Sequence, residues 1–288
     1  MKKITGYETG IGQNGMKIVK PESTPGNELH YTIENSKLGL CLNIGFSIEN
    51  TCMHNCECYS EKLCYGCHGC FTFGSNLAFA ANNYRFIKTH TKAEIIAEFK
   101  RIIDENPYIT DFRFFEIGDI PNREFLEIMI DVCKYGKAIE FWTYTKKYHI
   151  VNRFVDDMGL NAIPKNLAII FSHWKNRDGS YYPMNNPYKF PTSEFLPVGC
   201  ENEISNYTHV CPCSNPDYIG HCTNGCDHPC KHLKHGESMV LLEHSTSASA
   251  KRDKELSAIR KAQKAQRDAM LKEQKANAKK AWRESVIA

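Results

Sequence analysis

From Leu38 onward, apolar residues fall on alternate positions. Leu40, Leu42, Ile44, Phe46 and Ile48 have the period of a strand, which ends at Asn50-Thr51. Further along, the period lengthens. Thr91 and Glu94 have capping-box spacing, and Ile95, Ile96, Phe99, Ile102 and Ile103 recur at helical intervals until Pro107 closes the segment. Residues 111–117 read as a second strand, stopped by Gly118-Asp119. Asn122 caps a second helix that Gly136 terminates. A third strand over 138–145, a third helix over Tyr148–Met158 and a fourth strand over 167–172 follow. Strands alternating with helices at this spacing predict βα units and a largely parallel sheet. Before this region, residues 1–35 are rich in Gly, Thr, Asn and Pro and predict loops with a short strand or two. After His173 the pattern fades into an irregular, aromatic-rich region with Pro183, Pro187, Pro191 and Pro197. From Ser245 the chain is rich in Ala, Lys, Gln and Arg without a sustained heptad, which predicts an exposed, fraying helix. The expected organisation is therefore an irregular segment over 1–35, an α/β region over 36–199, a cysteine-rich segment over 200–244 and a basic tail over 245–288.

Composition adds constraints. With 288 residues, 42% hydrophobic and 24% charged, the chain is ordinary for a folded protein and long enough to bury a core without disulfides. The longest strictly apolar run near the middle is only residues 167–171, so no membrane span is expected. The first ten residues, MKKITGYETG, lack the apolar stretch of a signal peptide, so the expected location is the reducing cytoplasm. The net charge of +3 is unevenly spread: residues 245–288 hold 12 Lys/Arg and 5 Asp/Glu, leaving the body acidic. A basic body, the usual footprint of a globular nucleic-acid binder, is absent; only the tail offers that contact.

The 14 cysteines change the picture most. Cys52, Cys56 and Cys58 directly follow the first strand, and Cys64, Cys67 and Cys70 form a CxxCxxC run behind them. Six cysteines in 19 residues point to a thiolate-ligated metal, because a loop lets closely spaced thiolates converge on one soft centre. The spacing leaves zinc and iron–sulfur both open. Cys211, Cys213, Cys222, Cys226 and Cys230 predict a second centre, zinc or an auxiliary cluster, with Pro212, Gly225 and Pro229 supplying turns. Cys41 and Cys133 lie inside a strand and a helix and read as small core residues.

The order of features adds a resemblance. A strand, a cysteine loop, a helix and a strand ending in FFEIGDIPN resemble the radical S-adenosylmethionine barrel. That resemblance implies a partial TIM-like barrel, a four-iron four-sulfur cluster on Cys52, Cys56 and Cys58, and S-adenosylmethionine as cofactor. It also implies that Glu116, Gly118, Asp119 and Ser172 contact the cofactor and that a 5′-deoxyadenosyl radical abstracts hydrogen from substrate. A closer resemblance is to the phage "gene product 88" family. It rests on NSKLG over 35–39, Cys58-Tyr59, Asn83, Gly118-Asp119-Ile120, the FWTYTK segment over 141–146, the strand ending at Ser172 and the late cysteine cluster. Two features depart from the radical-enzyme pattern. The loop reads Cys-x3-Cys-x1-Cys, and the run from Cys64 to Cys70 is an addition.

TGIGQNG, with Gly10, Gly12 and Gly15, lacks the Lys-Ser/Thr ending of a phosphate loop and reads as a turn. Trp142, Tyr144 and Lys146 share one strand face and line either a pocket or ordinary packing. Lys146 is the stronger catalytic candidate because barrel sites form at the carboxyl ends of strands. His173-Trp174 invites the same reading. Asp119 is an acid/base candidate or a turn residue before the Asn122 helix. The leading expectation is an iron–sulfur enzyme acting on a nucleotide or nucleic acid, with Asp119 and Lys146 catalytic. The alternatives are a zinc-stabilised nucleic-acid-binding protein without catalysis, and a zinc-containing base-exchange barrel similar to tRNA-guanine transglycosylases.

Overall fold

A computed structural model describes residues 3–35, 38–62, 64–176, 178–196, 201–212, 226, 230–242 and 249–287. An N-terminal hairpin pairs β1 (Thr9–Ile11) with β2 (Lys17–Val19) in antiparallel fashion. The main sheet begins with β3 (Tyr31–Asn35), antiparallel to β4 (Gly39–Ile44). Two short helices, α1 (Ile48–Thr51) and α2 (Glu57–Ser60), sit within the first cysteine loop. Helices α3 (Gly74–Thr89) and α4 (Lys92–Glu105) lead to β5 (Asp111–Arg113). Next come α5 (Arg123–Tyr135), β6 (Glu140–Thr145), α6 (Tyr148–Met158) and β7 (Leu167–Trp174). The chain continues through β8 (Thr192–Leu196), β9 (His209–Val210), β10 (Ser238–Leu242) and α7 (Ser249–Ile287).

These strands form one eight-stranded sheet in the order β3-β4-β5-β6-β7-β8-β10-β9, parallel throughout except for β3 against β4. Strands β4 to β8 therefore lie side by side in chain order. Among the described residues, no pairing joins β9 back to β3, so a closed barrel is not formed. The protein is mixed α/β with a mostly parallel sheet. Alternation explains how the sheet is covered. Leu40, Leu42, Ile44, Phe112, Phe141, Ile169 and Phe171 share one core with Phe99 of α4, Leu126 of α5 and Val151 of α6. Residues on the intervening positions, Cys41, Trp142, Ile170 and Tyr144, form a separate cluster with Leu38 and Cys230. One face thus carries the helices, and the other faces the C-terminal segment.

The capping box at Thr91 is present: its hydroxyl accepts from Glu94 N at 3.3 Å while Glu94 Oε2 accepts from Thr91 N at 2.8 Å. Asn122 caps α5 by accepting from Phe125 N at 2.9 Å. The expected strand over 111–117 is shorter, because Phe115 takes a positive φ of 56° and breaks the extended run. Its hydrogen bonds nevertheless continue, with Glu116 N to Ile44 O at 2.7 Å and Phe46 N to Ile117 O at 2.9 Å. The region after His173 is more regular than its sequence suggests, since β8, β9 and β10 add three strands.

The tail is helical and mostly exposed along its described side chains, and part of α7 is docked on the body. Leu271 is 6% exposed and belongs to the main core. Gln274 Oε1 accepts from Leu40 N at 3.3 Å, Lys275 pairs with Glu34, and Lys279 lies 5.0 Å from the Tyr108 ring centre. The helix therefore covers the β3–β4 side of the sheet, where an unpaired edge would otherwise be open.

Candidate functional site

The connection after β4 enters α1, α2 and the cysteine run at the carboxyl end of the sheet. Gly118 fixes how it lies against the end of β5. It has φ +88°, and a Cβ there would stand 2.8 Å from Phe46 O and 2.7 Å from Thr51 Oγ1. Asp119 follows, buried, and ties three segments together. Its Oδ1 accepts from Thr145 Oγ1 at 2.6 Å and Ile120 N at 2.7 Å, while Oδ2 accepts from Lys146 N at 2.9 Å. Thr51 Oγ1 in turn accepts from Asp119 N at 3.0 Å. Burial raises the Asp119 carboxyl above its ordinary pKa, with the Thr145 hydroxyl and the two backbone N–H groups opposing that rise. The visible role of Asp119 is to hold the end of β6 against the cysteine loop.

That arrangement delivers Lys146 to the thiols. Its Nζ donates to Ser172 Oγ at 3.0 Å and lies 5.2 Å from the Trp174 ring centre. Tyr148 OH donates to Ser172 O. Burial opposes the Lys146 charge, but Cys58, then Cys56, more than compensate and raise its pKa. Cys58 is the hub: Cys56, Cys64 and Lys146 all neighbour its thiol, and together they hold it well below the ordinary range despite burial. Cys56, beside Cys58, is pushed up. Cys64 is pushed up by its neighbours Cys58 and then Cys67, and Cys67 is lowered by Cys64. The sulfurs thus neighbour one another as a chain, Cys56–Cys58–Cys64–Cys67.

The two sequence groups therefore merge into one. Cys64 and Cys67, which look like an addition in sequence, join the loop that contains Cys56 and Cys58. Cys52 feels the charge of Cys58, its own charge is felt at Cys64, and burial pushes its thiol up. Cys70 is exposed. Glu116 is half-buried at the turn before Gly118. Soft sulfur donors beside a buried cation suit a thiolate-ligated centre. Among the described residues, no group of three or more His, Cys, Asp or Glu side chains stands ready-made to hold a metal ion.

A cleft of about 470 Å³ opens beside the cysteine loop, lined by Asn55, Glu57, Ser60, Asn176, Asp178, Tyr182 and Pro183. Tyr182 OH bridges toward the loop through Asn55 Oδ1 at 3.3 Å. Tyr148 and Tyr182 carry no sequence signal for the site, whereas Trp174 does, through the place of the His173-Trp174 pair at a strand end. Of the second cysteine group, Cys213 and Cys222 lie outside the described residues, whereas Cys211, Cys226 and Cys230 are within them. No described helix is long and apolar enough to cross a membrane.

These features define an α/β protein with a thiol-rich site at the carboxyl end of a mostly parallel sheet. A family model described as Gene product 88 matches residues 12–190, more than half of the chain. The chain belongs to that phage family. No curated protein and no solved structure matches it.

Proposed function

We propose that the protein is an iron–sulfur enzyme of the radical S-adenosylmethionine type, acting on a nucleotide or nucleic acid. The observation that carries this reading is the thiol chain through Cys56, Cys58, Cys64 and Cys67, placed beside Lys146 where the sequentially ordered strands end. Parallel α/β sheets assemble their sites at that end. Sequential strands with helices on one face also fit a partial TIM-like barrel. A reduced four-iron cluster, when bound, supplies the electron that cleaves S-adenosylmethionine. Cys56, Cys58 and Cys64 would be three ligands, with Cys52 and Cys67 next to them. Lys146 offsets the negative charge of the thiolates and, with Ser172, presents a polar edge to a ligand. Glu116 and Gly118 sit where the resemblance puts the cofactor's amino group. Asp119 acts as a positioning residue for Lys146 rather than as a base, because its oxygens already take up three donors. The same hydrogen bonds weigh against a base-exchange reading with Asp119 as nucleophile.

A second reading has a specific observation in its favour. Four of the thiols, Cys56, Cys58, Cys64 and Cys67, neighbour one another, the number that a closed four-thiolate zinc site uses. A protein of that kind would bind nucleic acid without catalysis. Incubation of anaerobically purified protein with dithionite and S-adenosylmethionine separates the two. The enzyme reading expects 5′-deoxyadenosine from wild type and none from Cys58→Ser. Colourless protein with stoichiometric zinc and no 5′-deoxyadenosine would establish the second reading instead.

A further inference from the structure

The glycine-rich stretch TGIGQNG, a plain turn by its sequence, has a partner in the fold. Its backbone closes the β1–β2 hairpin: Gly12 N donates to Met16 O and Gly15 N to Gly12 O, both at 2.8 Å. The root of the hairpin is fixed elsewhere, because Val19 packs with Ile4 and with Ala78 and Ala81 of α3. The tip reaches the cysteine loop. Gln13 N donates to both carboxylate oxygens of Glu49 in α1, at 3.1 and 3.3 Å, and Asn14 Nδ2 donates to Tyr59 O in α2 at 3.1 Å. Asn14 is itself oriented by Met16 N, which donates to its Oδ1 at 3.1 Å.

Glu49 also connects the two short helices. Tyr59 OH donates to Glu49 Oε2, and His54 Nε2 donates to Glu49 O at 2.6 Å. The His54 ring stacks on Tyr59 with centroids 4.4 Å apart. Tyr59 is buried and follows Cys58 directly in the chain. Gly12 leaves room for this network, since a Cβ there would stand 2.4 Å from Glu49 Oε2. Where tip and loop meet, a narrow cavity of about 40 Å³ remains, with Asn14, Met16, Tyr59 and Cys67 in its walls. Cys67 is only 5% exposed.

We propose that the hairpin tip, residues 12–16, clasps the cysteine loop, with Glu49 as the positioning residue that fixes Tyr59 and through it Cys58, and that release of the clasp opens Cys67 to solvent. The bonds from the tip to the loop are polar, while the root keeps its own apolar packing. Segments held in this way open locally at less cost than the core. Opening the tip gives a ligand a path to the thiols without unfolding the sheet. Tyr59 and Cys58 share the single turn of α2, so the bond from Tyr59 to Glu49 orients the helix that carries the hub thiol. This inference rests on the cysteine loop being the functional centre, as proposed above, but not on which metal the loop takes.

The test measures alkylation of each cysteine by iodoacetamide in full-length, reduced protein stripped of metal, read by mass spectrometry. Glu49→Ala removes the acceptor of the clasp, and Gly12→Ala pushes that acceptor aside. In both variants Cys67 should react faster than in wild type by about tenfold or more, as loss of a hydrogen bond to a charged group implies. Glu49→Gln keeps a carbonyl oxygen for Gln13 N and should stay near the wild-type rate. Cys133, buried in α5, should remain slow in every variant. Unchanged Cys67 rates in both Glu49→Ala and Gly12→Ala, or a rise at Cys133 that matches the rise at Cys67, would overturn the proposal. Metal analysis of the same wild-type preparation before stripping reads the proposed function separately. Protein without metal whose Cys67 still responds to Glu49→Ala would remove the metal centre and leave the clasp standing.

Discussion

At the scale of single residues, Gly118 is the most constrained position beside the site. Its φ of +88° disfavours any side chain, and a methyl group would meet the Phe46 carbonyl oxygen, which cannot swing away. Gly159 has a similar φ of +80° but open space around it. Gly118→Ala should therefore cost clearly more than Gly159→Ala, whose penalty is only its glycine-favouring backbone (φ 80°, ψ 154°) at about 1–3 kcal/mol. Chemical denaturation of the two variants checks this, and equal losses would mean that the loop relaxes freely around Phe46 and Thr51. The cysteines were legible in sequence because their spacing is local. The merging of Cys64 and Cys67 with Cys58 was not, because it depends on how the chain folds back after α2. Lys146 and Ser172 were legible as strand-end residues. Tyr182 was hidden, since an irregular loop carries it to the site from far along the chain.

At the scale of elements, α4 and α5 announced themselves through caps and apolar stripes. Helix α3 did not. It buries Asn82 and Asn83, which a hydrophobic pattern scores as surface. Those amides bind backbone instead: Asn82 accepts from Gly26 N at 2.7 Å, and Asn83 accepts from His30 N at 2.7 Å while donating to Gly45 O at 2.9 Å. The same N-terminal stretch is tied to α4 by Glu98, which accepts from Leu29 N at 3.1 Å and pairs with Arg101 at 2.7 Å. Burial works against the Glu98 charge, but the Arg101 and Leu29 bonds outweigh it and lower the pKa below its ordinary 4.5. A depressed carboxyl contributes stability above the unfolded-state pKa and loses it as pH falls through the folded value. Wild type should therefore lose stability more steeply than Glu98→Gln below about pH 4.5, while being the more stable protein at neutral pH. Parallel slopes in acid denaturation would show that Glu98 is not held in this way.

Across the whole molecule, alternation of strands and helices was enough to read a mostly parallel sheet. Its strand order and open form were not readable, because β8, β9 and β10 lack a clear apolar period. The docking of α7 was equally hidden, as among its described side chains only Leu271 and Ala278 reach the main core. The remaining Lys and Arg suit phosphate contacts that weaken as salt rises. Deleting residues 249–287 should weaken nucleic-acid binding while leaving the first cysteine site loaded. Full-length protein should bind several-fold more weakly between about 50 and 200 mM salt. Identical affinity with and without α7 would remove the helix from that role. Under the proposed function, thiols at the carboxyl end of the sheet hold one metal centre. Iron, acid-labile sulfide and zinc, measured on anaerobically purified wild type, Cys58→Ser, Cys64→Ser and Cys70→Ser, test it most directly. Iron and sulfide should be present in wild type and Cys70→Ser and lost from both Cys58→Ser and Cys64→Ser. Equal metal content in all four proteins, or none in any, would contradict it.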